Sequence, residues 1–189
     1  MSVDSARRLR RPVTLVAVLV FGSAFPAASQ TVTAPALKAA FLYNFAKFAE
    51  WPADVLAPAQ RLSLCVVGDD AVADAIEQII KGRAVEGHEL IVQIVKPDGP
   101  LRSCHLLYVG GRDARRSSQI LQTLKSSTVF SVGESDNFAE SGGVAQLILE
   151  GDRMRFAFNV ASIQRARLHV SSKLLTLATI VKDAYDARP

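Results

Sequence analysis

The chain has 189 residues, 49% hydrophobic and 21% charged, and a formal net charge of +4. Residues 1–29 hold four Arg and one Asp, a net of +3, which leaves only +1 for the remaining 160 residues. That length is one domain with an ordinary core, and the near-neutral balance excludes the dense basic stripe that nucleic-acid binding requires.

The N-terminus reads as an export leader. Arg7, Arg8, Arg10 and Arg11 form a positive region, Val13 to Phe25 is uncharged and mostly apolar, and Ala27 and Ser29 are small residues in an A-x-A-like arrangement. The expected organisation is therefore a signal peptide over 1–29, cleaved near Ser29, and a single domain over 30–189. The apolar run is too short for the roughly 20 residues that cross a bilayer.

Ala34 to Glu50 has helical spacing, with Leu37, Phe41, Asn44, Phe45 and Phe48 as its apolar stripe. Trp51-Pro52 closes it. Such a stripe is most often core, and aromatics left exposed on this helix would suit a homodimer. Arg61 to Val67 is then a short apolar strand, followed by a helix over Asp70 to Lys81. Leu90 to Val95 and Cys104 to Val109 are further strands, Asp113 to Lys125 is a helix, and Thr128 to Val132 is a fourth strand. Gly68, Gly110-Gly111 and Gly133 each close a strand, as tight exits at the carboxyl edge of a sheet. Val144 to Leu149 and Met154 to Val160 form a hairpin around Glu150-Gly151-Asp152-Arg153. Leu174, Leu177, Ala178, Val181 and Tyr185 predict a closing helix over Ser172 to Asp186. The fold class is α/β: a mostly parallel sheet of about six strands between flanking helices, three layers in all, ending in a β-hairpin and a C-terminal helix.

Two cysteines, Cys65 and Cys104, fall on the first strand and at the start of the third. First and third strands are commonly neighbours in doubly wound sheets, and export leads to an oxidising compartment. The pair is therefore read as a disulfide, the alternative being two unrelated buried thiols.

Signs of catalysis are sparse. His88, His105 and His169 lack metal-ligand spacing, no G-x-S-x-G elbow occurs, and Ser172-Lys173 is not a Ser-x-x-Lys pair. His105, in an apolar strand, reads as a satisfied core histidine. The expectation is a non-enzyme with no cofactor and no metal. Arg165, Arg167 and His169 recur at every second residue, and in an extended chain they would share a face able to clamp an anionic small molecule. A solvated edge paired with nearby acids is the competing reading.

Three segments carry a resemblance. Leu37 to Pro52 (LKAAFLYNFAKFAEWP), the pair Leu64 to Asp69 with Cys104 to Val109, and Arg155 to Val160 with Arg167 to Leu175 together resemble the YfiR family of periplasmic regulators. The family usually has glycine where this chain has Ala166, and no second cysteine pair stands near Ser131 or Gly142-Gly143. The resemblance implies a periplasmic protein that catalyses nothing. It implies binding to the periplasmic domain of an inner-membrane diguanylate cyclase, repression of it, and thus control of cyclic-di-GMP and surface attachment. A periplasmic module for an anionic ligand is the other expectation.

Overall fold

The computed structural model describes residues 33–151 and 153–184. The expected leader and its cleavage site lie outside them, as does the end of the expected C-terminal helix. Among the described residues no helix is long and apolar enough to cross a membrane.

The first described element is α1 (Ala34–Phe48), capped by the Thr33 hydroxyl, with proline in its first turn. A two-residue strand β1 (Ala49–Glu50) follows. Then come β2 (Leu62–Val67), α2 (Asp70–Ile80), β3 (Ala84–Val85), β4 (His88–Ile94), β5 (Leu106–Val109), α3 (Ala114–Thr123) and β6 (Phe130–Gly133). The hairpin β7 (Ala145–Glu150) and β8 (Arg153–Asn159) leads to α4 (Val160–Arg165), β9 (His169–Val170), α5 (Ser172–Leu175) and β10 (Thr179–Val181). An eight-stranded sheet has the order β10-β8-β7-β6-β5-β2-β4-β3, and β1 pairs separately with β9. Only β7–β8 and β3–β4 are antiparallel within the large sheet.

The alternation of side chains along each strand builds two cores. Leu62, Leu64, Val66, Leu106, Tyr108, Phe130 and Val132 face α1 and α2. Cys65, Val67, Leu107 and Val109 face the other way, against Ile120 and Leu121 of α3 and Leu124 just after it. The sheet is thus the middle of three layers, and β2 and β5, buried along their whole length, read as continuous apolar runs for that reason.

Two expectations need correction. The buried face of α1 is Ala39, Leu42, Phe45 and Ala46, while Phe48 is 36% exposed and Asn44 lies in solvent. The stripe is rotated because small alanines let the helix approach closely enough for Phe45 to stack on Phe130, with centroids 5.7 Å apart, and to meet Phe156 and Phe158. The second correction is the C-terminal helix. Among the described residues of that span only Ser172–Leu175 is helical, Ser171 makes no side-chain cap, and Thr179–Val181 runs as an edge strand parallel to β8. Thr179-Ile180-Val181 is wholly β-branched and fits a pleated edge better than a helix. Leu177, counted on the helix's buried face, is 74% exposed.

Candidate functional site

The sulfurs of Cys65 and Cys104 are bonded, with Cα atoms 5.8 Å apart. β2 and β5 are neighbours in parallel register, Cys65 opposite Leu107, so Cys104, two residues before β5, reaches β2 on the α3 side. Both cysteines are buried.

The segment holding Arg165, Arg167 and His169 is not extended. Arg165 ends α4, Arg167 adopts a left-handed φ of 54°, and His169 lies in β9 opposite Glu50. The period-two argument fails because a helix end and a turn intervene. Ala166 ends the helix with an ordinary φ of −78°, and the left-handed turn falls on the next residue, Arg167. The two guanidiniums have separate partners. Arg165 pairs with both carboxylate oxygens of Asp183 and with Ser162 Oγ. Asn159 Nδ2 also donates to Asp183, fixing the chain beyond β10. The Arg165 guanidinium holds the Asp183 carboxyl below its usual range. Arg167 donates to Asp54 at 2.6 Å in solvent. All three side chains are exposed, but Arg165 is engaged in a clamp on the buried Asp183.

His105 is a satisfied core histidine. Its Nδ1 accepts from the Ser63 N–H at 3.0 Å, which leaves the proton on Nε2 to donate to the Val55 carbonyl at 3.3 Å. Trp51 Nε1 donates to the His105 carbonyl at 3.0 Å. Burial pushes the imidazole pKa down.

The polar cluster that does converge lies at the carboxyl edge. β2 lies between β4 and β5, so the sheet order reverses between β2 and β5, the place where open α/β sheets form a crevice. Gly68 and Gly111, at φ of 74° and 87°, turn the chain out of these two strands. Asp69 follows the first turn and caps α2 by accepting from the Val72 N–H. Glu134 follows Gly133 at the end of β6 and accepts from the Gly111 N–H at 2.6 Å. Lys38 reaches down from α1 to both acids, at 3.2 Å from Asp69 and 2.8 Å from Glu134. Burial works against the Lys38 ammonium, yet the two carboxylates outweigh it and raise its pKa; burial likewise opposes the Glu134 carboxylate, and Lys38 with the Gly111 N–H still lowers its pKa. The Tyr108 hydroxyl is buried beside the same acids without a hydrogen-bond partner among the described residues, and burial raises its pKa.

Lys38, Asp69, Tyr108 and Glu134 escaped the sequence reading. The available signal was an acid immediately after two strand-ending glycines, together with Gly110-Gly111. Nothing in the sequence said that the helical Lys38, thirty-one positions before Asp69 and far earlier than Glu134, would reach both. Among the described residues no His, Cys, Asp or Glu group could hold a metal ion.

A family model described as YfiR/HmsC-like matches residues 35–179. The chain belongs to the YfiR/HmsC-like family. The match takes in α1, both cysteines, the carboxyl-edge cluster and the start of β10. Similar solved structures include a conserved domain protein from Vibrio cholerae, at 12% identity and a TM-score of 0.46, covering 64% of this chain and 54% of that one. A substrate-binding protein with adhesive properties from Clostridium difficile matches at 10% identity and a TM-score of 0.46, over 69% of this chain and 57% of the other. An ABC domain in complex with L-Trp from Streptococcus pneumonia matches at 10% identity and a TM-score of 0.45, over 64% and 55%. The chain spans little more than half the length of each.

Proposed function

We propose that this chain is an exported regulator that binds the periplasmic sensor region of an inner-membrane diguanylate cyclase and holds the cyclase inactive. Membership of the YfiR/HmsC-like family over residues 35–179 carries this reading. The chain catalyses nothing in it: binding favours the silent state of the receptor, and release raises cyclic-di-GMP inside the cell. The Cys65–Cys104 bond supports placement in an oxidising compartment. It also makes the fold of the regulator, and hence repression, sensitive to reduction. A homodimer through the exposed Phe48 end of α1 is part of the same reading, and sedimentation velocity on the mature chain checks it.

The test is capture from membranes with the mature, oxidised chain as bait, repeated after reduction. Recovery of a membrane diguanylate cyclase, lost on reduction, supports the regulator and its redox dependence together. Recovery of no cyclase in either state overturns the reading.

A second reading is a module for an anionic small molecule at Arg167 and His169. The observation in its favour is that both are exposed, and that among the described residues Arg167 is held by the exposed Asp54 alone. An anion would displace Asp54 and raise the melting temperature with the logarithm of its concentration over Kd. No shift with anionic metabolites in the absence of a partner would dismiss it.

A further inference from the structure

β7 is longer than the strand beside it. Its ladder with β6 consists of Val132 opposite Ala145 and Gly133 opposite Gln146, while its ladder with β8 continues to Glu150 opposite Arg153. Because β6 ends at Gly133, the stretch from Leu147 to Glu150 has a strand neighbour on one side only. In an antiparallel pair, successive residues turn their main-chain groups alternately toward and away from the partner. The Asn159 N–H donates to the Val144 carbonyl at 3.1 Å, so the even-numbered residues of β7 serve β8. The odd-numbered ones face the other way. The N–H and C=O of Leu149 therefore point into the space that follows the end of β6.

That space is a cavity of about 280 Å³, whose lining includes Lys38, Arg112, Glu134, Asp136, Leu149 and Met154. Leu149 and Met154 face each other across the hairpin and continue the apolar surface of the sheet; Leu149 is 41% exposed. Lys38 is engaged by Glu134 and Asp69. Arg112 and Asp136, one charge of each sign, form no ion pair among the described residues.

We propose that this slot receives an extended peptide strand from the sensor region of the partner, added beside β7 in line with β6. The inference rests on the reading that the chain binds such a sensor. An unpaired row of main-chain donors and acceptors is matched by another main chain, the basis of recognition by strand addition. β6 lies in line with the slot and closes one end, which excludes the intact sheet edge of a second copy and admits a single flexible segment. The overhang of four residues is roughly 13 Å long, at about 3.3 Å per residue. The segment that fits has three or four residues: an apolar side chain over Leu149 and Met154, flanked by an acid for Arg112 and a base for Asp136.

The experiment uses the mature, oxidised chain and the sensor region of the cyclase that it captures. Hydrogen exchange is followed at the Leu149 amide, and affinity is measured by calorimetry for wild type, Leu149→Pro and Arg112→Glu. Leu149→Pro removes the slot's donor without touching the β7–β8 ladder, because that N–H faces away from β8. The expected results are slowing of Leu149 exchange by at least about tenfold in the complex, and affinity lower by about tenfold or more in each variant. Should the proline variant fail to fold, the wild-type exchange and Arg112→Glu decide. Wild-type binding with unchanged Leu149 exchange and full affinity in the variants overturns the slot and leaves the regulator reading standing. Absence of binding by the wild type overturns both.

Discussion

Lys38 of α1 and Glu134 at the end of β6 meet at 2.8 Å over the carboxyl edge of the sheet, with their side chains 13% and 18% exposed. Asp69, at the end of β2, shares the same ammonium. One lysine thus ties the first helix to two strands, and the disulfide ties β2 to the start of β5 on the opposite face. The centre of the sheet is fastened twice, once by charge and once covalently.

Removing the lysine leaves two partly buried carboxylates facing each other. Lys38→Met is expected to cost about 3 kcal/mol, the magnitude for breaking a largely buried pair by deleting one partner. Glu134→Gln costs less, since the amide oxygen can still accept from the Gly111 N–H. The exposed pair of Arg155 and Glu150, 64% and 56% exposed, supplies the control: Arg155→Ala should change stability by less than about 1 kcal/mol. Urea unfolding of the oxidised chain measures all three. Equal costs for Lys38→Met and Arg155→Ala would remove the lysine from its role.

The layered sheet was legible because β2 and β5 are mainly apolar and each is followed by glycine, and because α2 and α3 carry strong amphipathic spacing. The disulfide was legible once first and third strands were taken as neighbours. The carboxyl-edge cluster was not, since its charges come from α1 and from two strand ends distant in sequence. The C-terminal strand was missed for a different reason. Leu174, Leu177, Ala178 and Val181 satisfy a helical period by coincidence, and the β-branched Thr179-Ile180-Val181, placed beside β8 by tertiary contacts, overrides it.

His105 gives the fold an acid-sensitive point. Its folded pKa lies below the ordinary value of 6.5, so the folded state resists protonation. The associated stability is fully present above about pH 6.5 and is lost as pH falls toward the depressed pKa. Protonation also removes the Nδ1 lone pair that accepts from Ser63. The melting temperature should decline from about pH 6.5 downward. A further decline is expected below about pH 4, where Glu134 and Asp183, whose folded pKa values are lowered, take up protons. In His105→Gln the first decline should vanish and the second remain. A wild-type melting temperature flat from pH 7 to 5 would contradict this account.

Arg165 and Arg167, two residues apart, should behave differently. Arg165→Ala strands the buried Asp183 and loosens the chain beyond β10, at a cost of roughly 1–2 kcal/mol after allowing for the exposure of the guanidinium. Arg167→Ala removes only a solvated contact with Asp54 and should leave stability nearly unchanged. Chemical denaturation of the two variants checks the contrast, and equal effects would mean that the Asp183 clamp has been overrated.

Breaking the Cys65–Cys104 bond reopens a 39-residue loop in the unfolded chain. The chain-entropy relation puts the loss at roughly 4 kcal/mol as an upper value. The double variant Cys65→Ala/Cys104→Ala should retain the strand register, because β2 and β5 also hold each other through main-chain bonds. Its denaturation midpoint should fall to that of the reduced wild type. Coincidence of oxidised and reduced midpoints would show that the bond contributes nothing to stability.

The C-terminal correction has its own test. In a helix over Ser172 to Asp186, Leu174 and Leu177 would share the buried face, and an acid at either would be costly. In the observed fold Leu174 is 7% exposed and Leu177 is 74% exposed. Leu174→Asp should therefore destabilise by about 3 kcal/mol or more, through a lost apolar contact and a buried charge. Leu177→Asp should fall within about 0.5 kcal/mol of wild type. Circular dichroism separates the alternatives further, since a long closing helix would raise helicity above that of the short α5 turn. Comparable destabilisation by the two aspartates would restore the helix and displace β10 from the sheet edge.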